Sequence, residues 1–194
     1  EMNGNVVGFT GRILPQFEQG GFNQGKYVNS PQTDLYDKSK LLFGLDKAKQ
    51  DIRQKDEVII MEGQMDVITA HEFGFTNTVA SSGTAMTADQ IRTLTKLTSN
   101  FLFALDSDEA GVNATLKRAD ELFDNFYRFT TVGVDKWGNA KDFIDPATSY
   151  KTTVKVITIG GTEGYKDPDE FMRRDLDGWK AAIANAVPIM QFLL

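Results

Sequence analysis

The chain has 194 residues, 41% of them hydrophobic and 25% charged, a composition typical of a globular protein with one well-formed core. It contains no cysteine, which excludes disulfide bonds and zinc ribbons, so any bound metal would be held by oxygen ligands or by the single histidine. The sequence has no apolar run long enough for a membrane helix and no signal-like N-terminus, which predicts a cytoplasmic protein without membrane contact.

The net charge of −6 is distributed unevenly along the chain. Residues 1–55 contain 8 Lys or Arg against 6 Asp or Glu, whereas the remaining residues contain 13 against 21. A mildly basic segment therefore precedes an acidic body. Acidic bodies are common for solubility alone, but carboxylates that bind metal ions contribute to the same charge.

Both ends of the sequence indicate a segment of a longer protein. The chain starts at Glu1, and the turn signal Asn3-Gly4 leads into a strand-like run at residues 6–14 that has no preceding strand to pair with. Residues 189–194 are apolar and lack a stop signal, as if a helix continued beyond them.

From residue 37 onward, helical and strand-like patterns alternate. Residues 37–53 carry Leu and Ala at helical spacing among lysines, which predicts an amphipathic helix. Thr87 and Gln90 form a capping-box pattern that predicts the start of another helix. The alternation predicts a mainly parallel α/β sheet flanked by helices, and residues 130–152 are interpreted as a hairpin or excursion without an assigned role. The other predicted strands are 57–61, 78–80, 101–105 and 154–159, and the other predicted helices are 64–73 and 109–126.

Three pairs of acidic residues follow predicted strands directly or soon after. In a parallel sheet the carboxyl ends of the strands share one edge, where binding sites lie, so the three pairs can converge there. Uncompensated carboxylates at about 4 Å would repel by roughly 4 kcal/mol per pair at an effective dielectric near 20, a penalty that a divalent ion removes. The pairs are Glu62 with Asp66, Asp106 with Asp108, and Asp167 with Asp169.

Each acidic pair also has an ordinary structural explanation. Asp108 could cap the helix predicted at residue 109, and Asp167-Pro168 reads as a helix start with proline in the first position. Glu62-Gly63 could be a strand-ending turn. The functional interpretation rests on the shared topological position of all three pairs.

Seven sequence motifs, taken together, resemble bacterial DnaG-type primases over nearly the whole chain. The acidic segments are similar to the Toprim motifs of that family, and the upstream segments are similar to the part that precedes Toprim. The motifs are VGFTGR at 7–12, KYVNSP at 26–31, KSKLLFGL at 38–45, EGQMD at 62–66, VASSGT at 79–84, DSDEAG at 106–111 and KDPD at 166–169.

The resemblance implies a Toprim fold and a DNA-templated RNA polymerase that makes short primers with two or three Mg²⁺ or Mn²⁺ ions. By that likeness Glu62, Asp106 and Asp108 would be catalytic. The metal ligands would be those three residues with Asp167 and Asp169, supported by Asp66. Basic and polar residues upstream would bind the template or the nucleotide, and these are Arg12, Lys26, Asn29 and Lys38.

The resemblance also implies an organisation and a set of partners. Residues 1–55 would be a small strand-plus-helix segment before Toprim, residues 56–160 the Toprim domain, and residues 161–194 the third acidic motif with a helical end. Expected partners are single-stranded DNA, ribonucleoside triphosphates and, through a region absent here, a replicative helicase.

Two departures and two alternatives qualify this hypothesis. The segments 130–152 and 160–165 are longer than expected for the family, and both precede Asp167 and Asp169. One alternative is another Toprim enzyme, a nuclease or a piece of a topoisomerase, which would cleave phosphodiesters instead of forming them. The other is a non-catalytic Toprim binding module.

Overall fold

The computed structural model describes residues 1–14, 27–81, 86–104, 133–134, 140–141, 152–159 and 164–193. Within these ranges the strands are β1 (Thr10–Arg12), β2 (Tyr27–Asn29), β3 (Val58–Met61), β4 (Thr78–Ala80), β5 (Asn100–Ala104), β6 (Gly133–Val134), β7 (Ala140–Lys141), β8 (Thr153–Ile157) and β9 (Val187–Pro188). The helices are α1 (Leu45–Lys55), α2 (Gln64–Glu72), α3 (Ala88–Leu94), α4 (Pro168–Arg174), α5 (Leu176–Ala184) and α6 (Ile189–Phe192). None of the helices in these ranges has the length and apolar composition needed to cross a bilayer.

The central element is a five-stranded sheet with the order β4-β3-β5-β8-β9. The first four strands are parallel, and β9 adds an antiparallel edge next to β8. Two small antiparallel pairs, β1 with β2 and β6 with β7, lie outside this sheet. The predicted mainly parallel α/β architecture is therefore confirmed.

The sheet is apolar on both faces, as expected for parallel strands covered by helices on each side. One face packs against α1, α3 and α6, and the other against α2, α4 and α5, which gives a three-layer α/β/α arrangement. Trp179 of α5 is fully buried, and its ring makes edge-on contacts with Phe75 and with Phe171 of α4. These contacts fix α4, which carries the third acidic motif, over the same face as α2.

Several predicted elements are confirmed with small shifts in their ends. The strands predicted at 57–61, 78–80, 101–105 and 154–159 correspond to β3, β4, β5 and β8, and the helix predicted at 64–73 corresponds to α2. The capping box at the start of α3 is present, because the Thr87 side chain accepts from the Gln90 amide and the Gln90 side chain accepts from the Thr87 amide. The predicted helix at 109–126 and residue 105 lie outside the described residues.

Other predictions were wrong in extent. The helix predicted at 37–53 begins only at Leu45, since Gly44 has a φ of 82° and Phe43 is bridged to Ala80 at the edge of the sheet. The strand-like run 6–14 forms only β1, whose partner β2 follows it in the sequence. Within the segment 130–152, β6 and β7 pair as the hairpin interpretation predicted.

Candidate active site

The carboxyl ends of four parallel strands lie at one level of the sheet. Met61, the last residue of β3, pairs in register with Ala80 of β4 on one side and with Ala104 of β5 on the other. Ala104 in turn pairs with Ile157 of β8. Residues that directly follow these strands therefore start from a common edge, and Glu62 is the first residue after β3.

Asp66 lies in the first turn of α2 and is buried, with only 6% of its surface exposed. Its Oδ1 accepts a hydrogen bond of 3.0 Å from the backbone amide of Asp169, the second residue of α4. Amide dipoles at the N-termini of both helices favour a negative charge in this position. The structure thus joins the first and the third acidic motif through one carboxylate.

The N-terminus of α4 has the form that the sequence predicted for a helix start. Asp167 is the N-cap, and its side chain accepts a hydrogen bond of 2.8 Å from the amide of Glu170, while Pro168 occupies the first helical position. The carboxylate of Asp169 accepts from the hydroxyl of Thr69 on α2 and from Nε of Arg173 at 2.8 Å. Asp167 and Asp169 therefore both have structural partners within the protein.

On balance the environment of Asp66 disfavours its charged form, because the effect of burial exceeds that of the amide donor at the N-terminus of α4. Burial raises the pKa of the Asp66 carboxyl to about 6, and the nearby charges of Asp167 and Asp169 add to the increase. The hydrogen bond from the Asp169 amide acts in the opposite direction but does not cancel the effect of burial. A positive charge bound nearby would lower this pKa again.

Asp66→Asn is expected to gain stability relative to the wild type as the pH rises from about 4 to about 7 in metal-free buffer. The Asp66 pKa is about 6 in the folded protein and its usual value is 3.8, so its contribution to stability is fully present below the lower value and is lost as the pH rises through the higher one. A shift of this size corresponds to about 3 kcal/mol. Urea unfolding of both proteins with EDTA across this range measures the difference, and a difference independent of pH would contradict the prediction.

We call Glu62, Asp66, Asp167 and Asp169 the acidic edge. Its donor chemistry suits a hard divalent cation, because these side chains offer only carboxylate oxygens. Gly63 is consistent with such a site, since a Cβ at this position would occupy the space taken by the Asp66 carboxylate. Nevertheless, no group of three or more His, Cys, Asp or Glu within the described ranges is arranged to hold a metal ion.

Asp106 and Asp108 lie outside the described residues, and so does Lys26. In the sequence Asp106 and Asp108 follow Ala104 by two and four residues. Ala104 ends β5, the strand between β3 and β8. The ligand roles assigned to all six acidic residues therefore remain predictions.

The predicted nucleic-acid and nucleotide contacts that are described lie in the segment before β3. Arg12 and Asn29 belong to the exposed pair β1 and β2, and the guanidinium carbon of Arg12 lies 5.7 Å from the centre of the Tyr27 ring. Lys38 lines a cleft of about 420 Å³ between the N-terminal residues and α2, and the same cleft reaches Gln64 in the first turn of α2. From α2 the cleft is lined by Gln64, Val67, Ile68 and His71, and Glu62 and Asp66 are not part of its lining.

Three residues with a part in this arrangement were not predicted. Gly63 leaves room for the Asp66 carboxylate, and Thr69 and Arg173 hold Asp169. The spacing of Asp66 and Thr69, three residues apart in a helix, indicates that both lie on one helix face. Nothing in the sequence indicates that α4 packs against that face.

Two protein families match the chain. Residues 59–147 match the Toprim-like family, and residues 1–49 match the N-terminal domain of the DNA primase catalytic core. Among curated relatives, the DNA primase of Clostridium acetobutylicum is 35% identical over 194 residues, covering 99% of this chain and 26% of the relative. The DNA primase of Enterococcus faecalis is 41% identical over 122 residues, covering 63% of this chain and 19% of the relative.

Solved structures of primase domains are also similar to the chain. The E. coli primase catalytic core matches with a TM-score of 0.72 and 29% identity, covering all of this chain and 52% of that one. The RNA polymerase domain of the Mycobacterium tuberculosis primase matches with a TM-score of 0.73 and 28% identity, covering all of this chain and 55% of that one.

The fold and the acidic edge therefore define a Toprim-type domain joined to the segment that precedes it in primase catalytic cores. The chain belongs to the bacterial DnaG-type primases and corresponds to the Toprim-containing part of their RNA polymerase domain. It spans about a fifth to a quarter of the length of the curated relatives that it matches.

Proposed function

We propose that the chain is part of the catalytic core of a DNA primase, which synthesises short RNA primers on a DNA template by metal-dependent nucleotidyl transfer. The observation that carries the proposal is the junction of two acidic motifs, through Asp66 and the amide of Asp169, beside the carboxyl edge of the sheet. The match of residues 1–49 to a primase-specific domain favours primer synthesis over a nuclease, a topoisomerase piece or a non-catalytic module.

Two or three Mg²⁺ or Mn²⁺ ions are proposed as cofactors, held by Glu62, Asp106, Asp108 and the third acidic motif. Bound divalent ions would lower the pKa of the attacking 3′-hydroxyl and neutralise the triphosphate and the leaving pyrophosphate. The carboxylates of this chain fix the positions of those charges in advance, which is the main contribution of a protein to such a reaction.

Arg12, Lys26, Asn29 and Lys38 are proposed to bind the template and the incoming ribonucleoside triphosphate. Contacts of Lys and Arg with phosphates are independent of base sequence, which suits an enzyme that copies many templates. A related DnaG catalytic domain has been solved bound to single-stranded DNA, and the M. tuberculosis domain bound to double-stranded DNA. We propose single-stranded DNA as the template here, a replicative helicase as the partner of the whole enzyme, and the cytoplasm as its location.

Within the whole enzyme that contains it, the chain is expected to support Mg²⁺-dependent incorporation of labelled ribonucleotides on a single-stranded DNA template. Incorporation should stop when EDTA is added and should weaken as salt concentration rises, because phosphate contacts are screened. Gel analysis of the products distinguishes the alternatives, since cleavage of the template without incorporation would refute the assignment as a primase.

A further inference from the structure

Asp169 is held by α2 through both its backbone and its side chain. Asp66 accepts from its amide at 3.0 Å, and the hydroxyl of Thr69, a fully buried residue, donates to its Oδ1. Arg173 completes a closed triangle, because its Nε donates to Asp169 Oδ1 at 2.8 Å and its Nη2 donates to Thr69 Oγ1 at 2.7 Å. Asp169 Oδ1, Thr69 Oγ1 and the Arg173 guanidinium are thus linked to one another within the protein.

Arg173 also lies close to an acidic residue of α2. Its Nη2 lies 3.8 Å from Oε2 of Glu72, and 46% of its side chain is exposed. The neighbouring Arg174 points to a different partner, Glu170, at 3.0 Å. Arg173 therefore pairs with a residue of the third acidic motif, whereas the adjacent Arg174 pairs with a residue outside that motif.

We infer that Arg173 is a positioning residue that holds Asp169 against α2 and competes with divalent ions for its carboxylate. The inference rests on the proposed function, in which Asp169 belongs to the metal-binding edge. Without a bound ion, the guanidinium supplies a positive charge to the carboxylate of Asp169. When an ion binds, the same guanidinium repels it and must give up part of its hold on Asp169.

The two consequences of removing Arg173 have opposite signs, and electrostatics decides between them. Loss of the side chain frees Asp169 to rotate, which weakens ion binding, but Asp66 still holds the Asp169 amide and Thr69 still holds its carboxylate. At a given distance the guanidinium repels a divalent ion twice as strongly as a monovalent one. Removing the guanidinium therefore strengthens binding of the divalent ion. Tighter binding of divalent ions is therefore the expected result.

Calorimetric titration of the 194-residue chain with Mn²⁺ tests this inference. Arg173→Gln is expected to lower the dissociation constant about fivefold, the effect of one charge at a distance of several ångströms in a largely aqueous dielectric. Arg174→Gln is the matched control, because it removes the same charge from the next position without freeing Asp169, and it should change the constant less than twofold. Arg173→Lys, which keeps the charge, should resemble the wild type.

A second measurement uses the wild type and does not depend on the folding of a variant. In NMR spectra of the arginine Nε–H groups, the Arg173 signal should shift on titration with Mg²⁺ while the Arg174 signal stays in place. The inference would be overturned if Arg173→Gln left the Mn²⁺ affinity unchanged or weakened it. It would also be overturned if the Arg173 signal did not shift on addition of Mg²⁺. Absence of Mn²⁺ binding in both the wild type and Arg173→Gln is a different result, which would overturn the proposed metal site itself.

Discussion

Asp106→Asn is expected to abolish detectable Mn²⁺ binding to the chain. Asp106 follows β5, the strand between β3 and β8, so by sequence position it belongs to the middle of the three acidic pairs. The substitution removes one negative charge and one anionic ligand while keeping the size of the side chain. Substitutions of residues that merely orient a ligand cost about ten- to a hundredfold in metal affinity, and loss of the ligand itself should cost at least as much. Isothermal titration with Mn²⁺ provides the measurement.

Asp177→Asn is the matched control for this experiment. Asp177 lies in the first turn of α5, its side chain is 92% exposed, and its partner is Lys180 at 2.9 Å. It loses the same charge without belonging to the acidic edge, so its titration should match that of the wild type. A titration of Asp106→Asn that matches the wild type would show that the proposed site is wrong, whatever the whole enzyme does.

The parts of the fold that the sequence predicted are those governed by local pattern. Residues 58–61 form a short apolar run because β3 is buried on both faces, and the run is visible without knowledge of its neighbours. The capping box of Thr87 and Gln90 is likewise contained in four residues. The expectation that the first and third acidic motifs lie close together came from the topology of parallel strands and not from any single motif, and the Asp66–Asp169 hydrogen bond agrees with it.

The errors arise where tertiary contacts override local pattern. The apolar positions of residues 41–48 have helical spacing throughout, yet the helix starts only at Leu45 because Phe43 makes backbone hydrogen bonds with Ala80. The strand β9 contains Pro188 and only two residues, a pattern that is not recognisable as a strand without β8 beside it. Both contacts join parts of the chain that are far apart in sequence.

The same limit applies to the candidate site. The sequence identifies Asp66 and Asp169 as acidic residues after strands, but it does not indicate that one accepts a hydrogen bond from the backbone of the other. Nor does it indicate that Asp169 is paired with Arg173, although the spacing of four residues permits an ion pair within a helix. Burial of Asp66, and with it the raised pKa, depends on the packing of α4 on α2.

Gly63→Ala is expected to destabilise the chain by about 2–3 kcal/mol, the usual cost of leaving a buried polar group without its partner together with local overpacking. The backbone of Gly63 has φ −95° and ψ 147°, which any residue adopts, so the cost does not come from the backbone. It comes from the Asp66 carboxylate, which lies where the new methyl group would be. To make room, Asp66 must rotate and release the Asp169 amide. Urea unfolding at neutral pH measures the change in the free energy of unfolding.

The source of that cost can be isolated with a double-mutant cycle. The atoms that a Cβ at Gly63 would meet all belong to Asp66, so in an Asp66→Ala background the substitution at Gly63 should cost little. Gly11→Ala is the matched control, because a Cβ at that exposed position in β1 would meet nothing within 4 Å. An equal cost of Gly63→Ala in both backgrounds would mean that this glycine is required for a reason other than the placement of Asp66. A cost confined to the wild-type background would show that Gly63 keeps the link between the first and third acidic motifs in place.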